Sequence, residues 1–137
     1  MSPFHLAFPT TDLAATRSFF TNVIGCQVGR ETDRWVDFNF QGHQISAHKV
    51  DVATTHERCE VDGRRVPPFH FGLVLDRDQW QATRERLEEA NAEFLIEPTI
   101  RFKGKPGEQA TMFVKEPGGN VLEFKSMRDP NLLFAEQ

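Results

Sequence analysis

The sequence predicts an α+β fold made of two βαβββ modules. The first observation is an internal repeat, in which a strand that carries a histidine is followed by a helix and then by further strands, twice. The two histidines, His5 and His70, lie about 65 residues apart, and this spacing is the period of the repeat. The second observation is that a glycine turn precedes the last strand of each module, at Gly42 and at Gly119.

The first module follows this order of elements closely. Residues 4–8 predict a strand, and Thr10 or Thr11 provides an N-cap for the helix that follows. Apolar residues at helical spacing continue that helix up to Gly25, a residue type that often lies just past a helix C-terminus. Alternating large and polar residues then predict two strands, at 35–40 and 44–48.

The second module repeats the pattern. Residues 69–75 predict a strand, and Asp76 or Asp78 caps a helix with an apolar face. Three further strands are predicted, at 94–96, 110–114 and 120–125.

These elements give the predicted boundaries. The first module occupies residues 3–49 and the second residues 69–127. Residues 50–68 have little pattern and are expected to form a linker, and residues 128–137 are expected to form a tail. The polar run at 101–109 is expected to be a loop over the second sheet.

Composition narrows the range of functions. The net charge of −4 and the pI near 5.7 argue against a general nucleic-acid-binding protein, which usually has a basic surface. The N-terminal residues do not resemble a signal peptide, and no apolar run is long enough for a membrane helix. Two cysteines without an export signal favour free thiols over a disulfide. We therefore expect a cytoplasmic protein that binds neither nucleic acid nor membrane.

Three residues form a candidate metal site. His5 and His70 occupy matching positions on the first strands of the two modules, and Glu123 lies inside the last strand between Leu122 and Phe124. A carboxylate between two large apolar residues points to the opposite face of its strand, where a charged group is costly to bury without a partner. Two histidines and one carboxylate are a common ligand set for a divalent metal and leave coordination positions open for a substrate.

The same residues resemble a known family. The segments FHLAF and HFGLVL, each followed by a capped helix, and EPGGNVLEF near the end are similar to the vicinal-oxygen-chelate superfamily. This superfamily includes glyoxalase I, fosfomycin-modifying thiol transferases, bleomycin-binding proteins and extradiol dioxygenases. The resemblance covers residues 3 to about 127.

The resemblance implies how the two modules work together. They would form a cupped mixed sheet around a divalent metal held by His5, His70 and Glu123. Fe²⁺ is the favoured ion, because two histidines and one carboxylate suit non-haem Fe²⁺, and Mn²⁺, Zn²⁺, Ni²⁺ or Co²⁺ would also fit. The substrate would be a small molecule. The protein is expected to be a homodimer, and the metal site could lie within one chain or be shared. In many short members of the superfamily the cup forms across the dimer, and one chain would then supply His5 and its partner His70 and Glu123.

Two enzyme reactions remain open, one of the dioxygenase type and one of the lyase type. A glyoxalase has a further ligand on the last strand of the first module, and alignment of Gly42 with Gly119 places Ser46 there, which is a poor ligand and no base. His48 lies two residues further on and is expected to face the same side, where it could act as acid or base. Extradiol dioxygenases also often use a tyrosine, and this chain has none.

The sequence also offers candidate substrate-binding residues and two alternative functions. Arg101 and Glu108 are candidate substrate-binding residues at the mouth of the cup, whereas Lys103 and Lys105 are expected to be solvated. His43 is expected to be exposed, and His56 is given no role. The alternative functions are a metal-free drug-binding protein of the bleomycin-resistance type, which the thirteen phenylalanines would suit, and a structural or regulatory dimer.

Overall fold

The computed structural model of the chain describes residues 2–52, 59–61 and 63–136. It has two compact units, the first made of Met1–Thr55 and Glu116–Asn120, the second of His56–Lys115 and Val121–Gln137. Each unit contains a four-stranded mixed sheet and one main helix, which confirms the predicted α+β class with two modules. In the part of the chain that is described, no helix has the length and apolar character needed to cross a membrane.

The first unit has the strand order β1-β4-β3-β2, in which β1 runs parallel to β4 and the other neighbours are antiparallel. Its elements are β1 (His5–Thr10), α1 (Leu13–Ser18), β2 (Gln27–Glu31), β3 (Trp35–Phe40) and β4 (His43–Lys49). Helix α1 continues as a π-helical segment over Phe19–Ile24, and Gly25 ends it with a φ of 90°. Phe20 is fully buried and packs against Phe8 and Phe38, so the core lies between the helix and one face of the sheet.

Two details of this unit differ from the sequence expectations. The N-cap of α1 is Asp12, whose Oδ1 accepts a hydrogen bond from the Ala15 backbone at 3.0 Å. The two predicted cap residues, Thr10 and Thr11, lie before the cap, and Thr10 Oγ1 accepts a hydrogen bond from the Asp12 backbone at 3.1 Å. Strand β2 was not predicted, because most of its side chains are exposed and polar and give no alternating pattern.

The turn between the last two strands of the chain belongs to the first unit, although its sequence lies in the predicted second module. Its anchor is Glu116, which is fully buried and accepts hydrogen bonds from Thr16 Oγ1 at 2.8 Å and from the Gly118 backbone at 2.9 Å. Asn120 donates to the same carboxylate through its backbone at 3.0 Å and its side chain at 2.7 Å. Four donors on one buried carboxylate explain how this polar turn is held inside the unit.

The second unit has the strand order β7-β10-β9-β8, with β7 parallel to β10 and the others antiparallel. Its elements are β5 (Cys59–Val61), β6 (Arg64–Val66), β7 (Phe71–Val74), α2 (Arg77–Glu89), β8 (Glu93–Arg101), β9 (Gln109–Lys115) and β10 (Val121–Met127). A 3₁₀ turn, Pro130–Leu132, lies in the tail. The predicted linker at 50–68 thus contains a small hairpin, β5–β6. His56 and the side chain of Cys59 lie outside the described residues.

Strand β10 is central in the second sheet and is buried on both faces. Helix α2, which is capped by Asp76, one of the two predicted cap residues, contacts one face, where Trp80 Nε1 donates to the Phe124 carbonyl at 2.9 Å. Leu122 and Phe124 are fully buried on that face, so alternation turns Glu123 to the other one. The helix and the alternation of β10 together determine where the carboxylate lies.

Candidate metal centre

Glu123 lies in the middle of β10, where it pairs with Gly72 of β7 and Phe113 of β9. Only 8% of its surface is exposed. A Cβ atom at position 72 would overlap the carbonyl oxygen of Glu123, so the two parallel strands approach this closely because residue 72 is a glycine. The glycine therefore helps to determine the position of the carboxylate.

The structure brings His70 and Glu123 together. His70 Nε2 lies 3.3 Å from Glu123 Oε1, and Thr111 Oγ1 donates to Oε2 at 2.6 Å. Lys125 Nζ is 3.8 Å from Oε1, which adds a positive charge on the same side. The ring of Phe113 meets the imidazole in a T-shaped contact with centroids 5.0 Å apart. We call this set of five residues the Glu123 face.

The hydrogen-bond partner of the second ring nitrogen of His70 determines the tautomer of the ring. Nδ1 lies 3.0 Å from the Pro67 carbonyl oxygen, which can only accept a hydrogen bond, so Nδ1 carries a proton. In the neutral ring Nε2 then has its lone pair directed at the carboxylate. This is the arrangement found in metal-binding histidines, whose other ring nitrogen usually donates to an oxygen.

The ionisation of the pair follows from the same contacts. The hydrogen bond to Glu123 raises the pKa of His70, although burial opposes it. Burial also acts to raise the pKa of Glu123, but the hydrogen bonds from His70 and Thr111 outweigh it and leave that pKa lowered. With no metal bound, a proton on Nε2 makes the two groups an ion pair.

The donor set fits a divalent cation. A neutral imidazole Nε2 and a carboxylate oxygen that face each other at 3.3 Å repel unless a proton or a cation lies between them. Imidazole nitrogen and carboxylate oxygen are the donors that Fe²⁺, Mn²⁺, Zn²⁺, Ni²⁺ and Co²⁺ accept. The same place can therefore be filled by a proton or by a metal ion.

His5 lies in the first unit, on β1, with an exposed side chain. It pairs in register with Gln44 of β4, and its Nδ1 lies 2.8 Å from Gln44 Oε1. Within residues 2–52, 59–61 and 63–136, no three acidic, histidine or cysteine side chains are grouped closely enough to hold a metal. Of the three predicted ligands, His70 and Glu123 are in contact in the second unit, and His5 belongs to the first unit.

His48 and Ser46 share a face of the first sheet with His5, as the alternation predicts. Their partners across the sheet are Pro9 and Trp35 for His48, and Ala7 and Asp37 for Ser46. His48 is exposed, whereas Ser46 is buried. The role of His48 as acid or base stays a prediction.

Asp37 is the residue that the sequence analysis missed. It lies on β3 directly beside Ser46, whose hydroxyl donates to Asp37 Oδ1 in a short hydrogen bond. A carboxylate is therefore present on this face, although position 46 itself is a serine. Asp37 lies between Val36 and Phe38, the same pattern of an acid flanked by large apolar residues that singled out Glu123, so the signal was available.

The two candidate substrate-binding residues lie at the ends of neighbouring strands. Arg101 ends β8, is partly buried, and stacks over the Phe102 ring at 4.7 Å. Glu108 Oε1 accepts from the Gly104 backbone at 2.8 Å and lies 3.6 Å from Arg128. Glu108 thus holds the loop that precedes β9, and its role toward a substrate stays a prediction.

Comparison with known proteins decides the family. A family model described as the Glyoxalase/Bleomycin resistance protein/Dioxygenase superfamily matches residues 2–124. The chain belongs to this superfamily. The match runs from β1 through Glu123, and so spans all three predicted metal ligands.

Solved structures of superfamily members and related proteins share the fold. A glyoxalase/bleomycin resistance protein/dioxygenase from Alicyclobacillus acidocaldarius is 26% identical with a TM-score of 0.80, and the alignment covers 97% of this chain and 96% of that one. The fosfomycin resistance protein FosX from Listeria monocytogenes is 14% identical with a TM-score of 0.69, over 96% and 97% of the two chains. A possible glyoxalase from Bacillus cereus is 22% identical with a TM-score of 0.64, over 90% and 97%. A comparison with curated proteins gives no match.

Proposed function

We propose that this superfamily member is a divalent-metal-dependent enzyme that binds two neighbouring oxygens of a small substrate and stabilises an enolate or oxyanion. The observation that carries the proposal is the His70–Glu123 pair, in which Nε2 and Oε1 face each other at 3.3 Å with Nδ1 held by a backbone carbonyl. A purely structural pair would not need the third predicted ligand, His5, at the matching position of the other module. Fe²⁺ is the favoured ion, and Mn²⁺, Zn²⁺, Ni²⁺ and Co²⁺ also suit these donors.

The ligands would be His70 Nε2, Glu123 Oε1 and the Nε2 of His5, with His5 supplied by the second chain of a homodimer. This sharing is proposed from the resemblance to the superfamily, in which the cup of many short members forms across a dimer. A bound divalent ion would supply Lewis-acid stabilisation of negative charge on substrate oxygens.

The chain's own residues would complete the chemistry. Thr111 keeps the Glu123 carboxylate in one orientation, and Lys125 adds positive charge near it. On the face of the first sheet that carries His5, Asp37 provides a carboxylate that can accept a proton, and the Ser46 hydroxyl donates to one of its oxygens. This acceptor supports proton transfer of the glyoxalase or lyase type, and His48 supports the dioxygenase-like alternative, in which a histidine acts as acid or base.

A metal-free drug-binding function is the alternative. The first unit has an open cleft of about 560 Å³ whose lining includes Arg30, Asp37, Asn39 and Gln44. Phe38 is the one aromatic ring among the described residues that line it, apart from the imidazole of His43. A site for a large apolar drug is usually lined mainly by hydrophobic and aromatic side chains, so this polar lining favours the enzyme. A cytoplasmic location completes the proposal.

Metal content tests the proposal. The protein purified without chelator or added metal, and its Glu123→Gln variant, are compared by elemental analysis, with Glu97→Gln on the exposed part of β8 as the matched control. We expect about one ion per chain in the wild type and the control, and loss of most of it in Glu123→Gln. No ion in the wild type, and none taken up on titration, would contradict the enzyme function and favour the drug-binding one. An unchanged content in Glu123→Gln would show that the ligands are wrong.

A further inference from the structure

The start of β1 is held by two consecutive residues of the β3–β4 hairpin. The Phe4 backbone donates to His43 Nδ1 at 2.8 Å, and the Gln44 backbone donates to the Phe4 carbonyl at 2.9 Å. The Gln44 side chain then reaches the next residue, with Oε1 2.8 Å from His5 Nδ1. The position and the ring of His5 therefore depend on this hairpin.

The direction of the last hydrogen bond determines the state of the ring. The amide oxygen of Gln44 can only accept, so His5 Nδ1 carries the proton and Nε2 has the lone pair. Histidine free in water mainly adopts the opposite tautomer, with the proton on Nε2. The contact with Gln44 thus stabilises the form in which Nε2 can bind a metal.

We infer that Gln44 is a positioning residue that selects the metal-binding tautomer of His5. The inference rests on the proposed function for the role of His5 as a ligand, whereas the tautomer is a property of the metal-free protein. The second module achieves the same result differently, because the backbone carbonyl of Pro67 holds His70. A substitution of the Gln44 side chain can therefore remove the control of the His5 tautomer. No side-chain substitution removes the backbone carbonyl that controls the tautomer of His70.

The chain also contains an internal reference. His43 Nδ1 accepts a hydrogen bond from the Phe4 backbone, so its neutral ring has the proton on Nε2. His5 and His43 are thus expected to show opposite tautomers in one protein. This difference can be read from two-bond ¹H–¹⁵N spectra of the imidazole rings in ¹⁵N-labelled protein, at a pH where the rings are neutral.

The test uses two substitutions of Gln44 in the metal-free, full-length protein. Gln44→Leu removes the acceptor, and we expect His5 to change to the form protonated on Nε2. Gln44→Glu keeps an oxygen acceptor, and we expect His5 to stay protonated on Nδ1. The spectra of His43 and His70 should stay unchanged, and Gln27→Leu on the exposed end of β2 should change none of the three rings.

Metal affinity is then measured with Co²⁺ as the probe in a competition titration. Loss of the residue that orients a ligand typically lowers affinity by about 10–100-fold, and we expect this for Gln44→Leu, with near wild-type affinity in Gln44→Glu and Gln27→Leu. A His5 ring that stays protonated on Nδ1 in Gln44→Leu would overturn the inference, whatever the metal does. A changed tautomer with unchanged Co²⁺ affinity, in a protein that loses Co²⁺ on Glu123→Gln, would overturn the role of Gln44 alone. No Co²⁺ binding by the wild type would overturn the proposed function and with it the metal role of Gln44.

Discussion

The imidazole of His70 is held at both nitrogens by groups of different kinds. Nδ1 donates to a backbone carbonyl, which is neutral at every pH, and Nε2 faces a carboxylate. A metal ion could therefore replace the proton on Nε2 without rotation of the imidazole ring. Metal binding at this pair is accordingly expected to release a proton at a pH where His70 is protonated.

The first prediction concerns the pH dependence of the metal-free protein. Because Glu123 raises the pKa of His70, stabilisation through His70 is fully present below the ordinary histidine value and is lost as the pH rises through the raised one. Because the pKa of Glu123 is lowered, its contribution is present above the ordinary glutamate value and is lost as the pH falls through the lowered one. The pair therefore stabilises the fold most between the ordinary glutamate and histidine pKa values, and this stabilisation declines toward each of the two folded-state pKa values.

An NMR titration of the His70 ring in chelator-treated protein checks this prediction. We expect a pKa above the ordinary histidine value in the wild type and a lower one in Glu123→Gln, which keeps the shape of the side chain and removes its charge. An equal His70 pKa in the two proteins would show that the carboxylate does not act on the ring. Glu97→Gln serves again as the control, since its side chain is exposed.

At this scale, the sequence indicates candidate residues for the chemistry but not the groups that hold them. Glu123 could be chosen because its apolar neighbours turn it to the opposite face, and His70 because it repeats His5. The oxygens that hold the two rings, from Pro67 and Gln44, depend on strand register and on loop path, which residue spacing does not determine. The sequence does not show that Asp37 lies beside position 46, because residue spacing does not determine which residues pair across two strands.

Among the elements, the contact of β7 with β10 has the clearest consequence for the site. The second prediction is that Gly72→Ala displaces the Glu123 backbone, because the added methyl group would overlap the Glu123 carbonyl. We expect a loss of stability of about 1–3 kcal/mol, as for other overpacked positions, together with weaker metal binding. Urea denaturation measures the first effect and Co²⁺ titration the second.

Gly29→Ala on β2 is the matched control, because a Cβ there would meet the Asp37 Cβ at an ordinary 3.6 Å and the residue has no positive φ. It should change stability much less than Gly72→Ala and leave Co²⁺ affinity unchanged. If Gly72→Ala behaved like Gly29→Ala, the close approach of the two strands would not be what positions the carboxylate.

The predicted elements differ from the observed ones where burial is unusual. Strands with one apolar face, such as β3, were predicted with their observed bounds, because alternation reports a half-buried strand. Strand β2 is mostly exposed and β8 extends to Arg101 with several exposed residues, so neither gave the full pattern. The loop predicted over 101–109 is accordingly shorter, since Arg101 and Gln109 pair as the ends of β8 and β9.

For the whole molecule, the two modules have equivalent strand orders, but each of the two units is made of two separate segments of the chain. The chain passes between the two units at residue 55, again at 115 and again at 120. The segment Glu116–Asn120 is bound into the first unit through the buried Glu116 carboxylate and through Asn120 Nδ2, which donates to the Pro9 carbonyl at 2.8 Å. The repeat in the sequence predicts the two modules. The placement of Glu116–Asn120 in the first unit depends instead on polar contacts between residues far apart in the sequence, which no periodicity reveals.

The last prediction concerns the proposed homodimer, in which His5 of one chain would complete the site of another. His5→Ala and Glu123→Ala homodimers would each lack a complete site. In a mixed dimer, the Glu123→Ala chain still supplies His5 and the His5→Ala chain still supplies His70 and Glu123, so one of the two sites is complete. After unfolding and refolding of an equal mixture, about half of the dimers are mixed and about a quarter of the wild-type Co²⁺ sites should return.

A mixture of Glu123→Ala with His70→Ala is the control, because both changes affect the same half of the site and no combination restores it. Subunit exchange is verified by mass spectrometry of the intact dimers before Co²⁺ is titrated. Recovery in the first mixture and none in the second would assign the ligands to two chains. The absence of recovery in a verified mixed dimer would instead mean that His5, His70 and Glu123 do not meet across an interface, and Gln44 would then position a histidine that acts within its own chain.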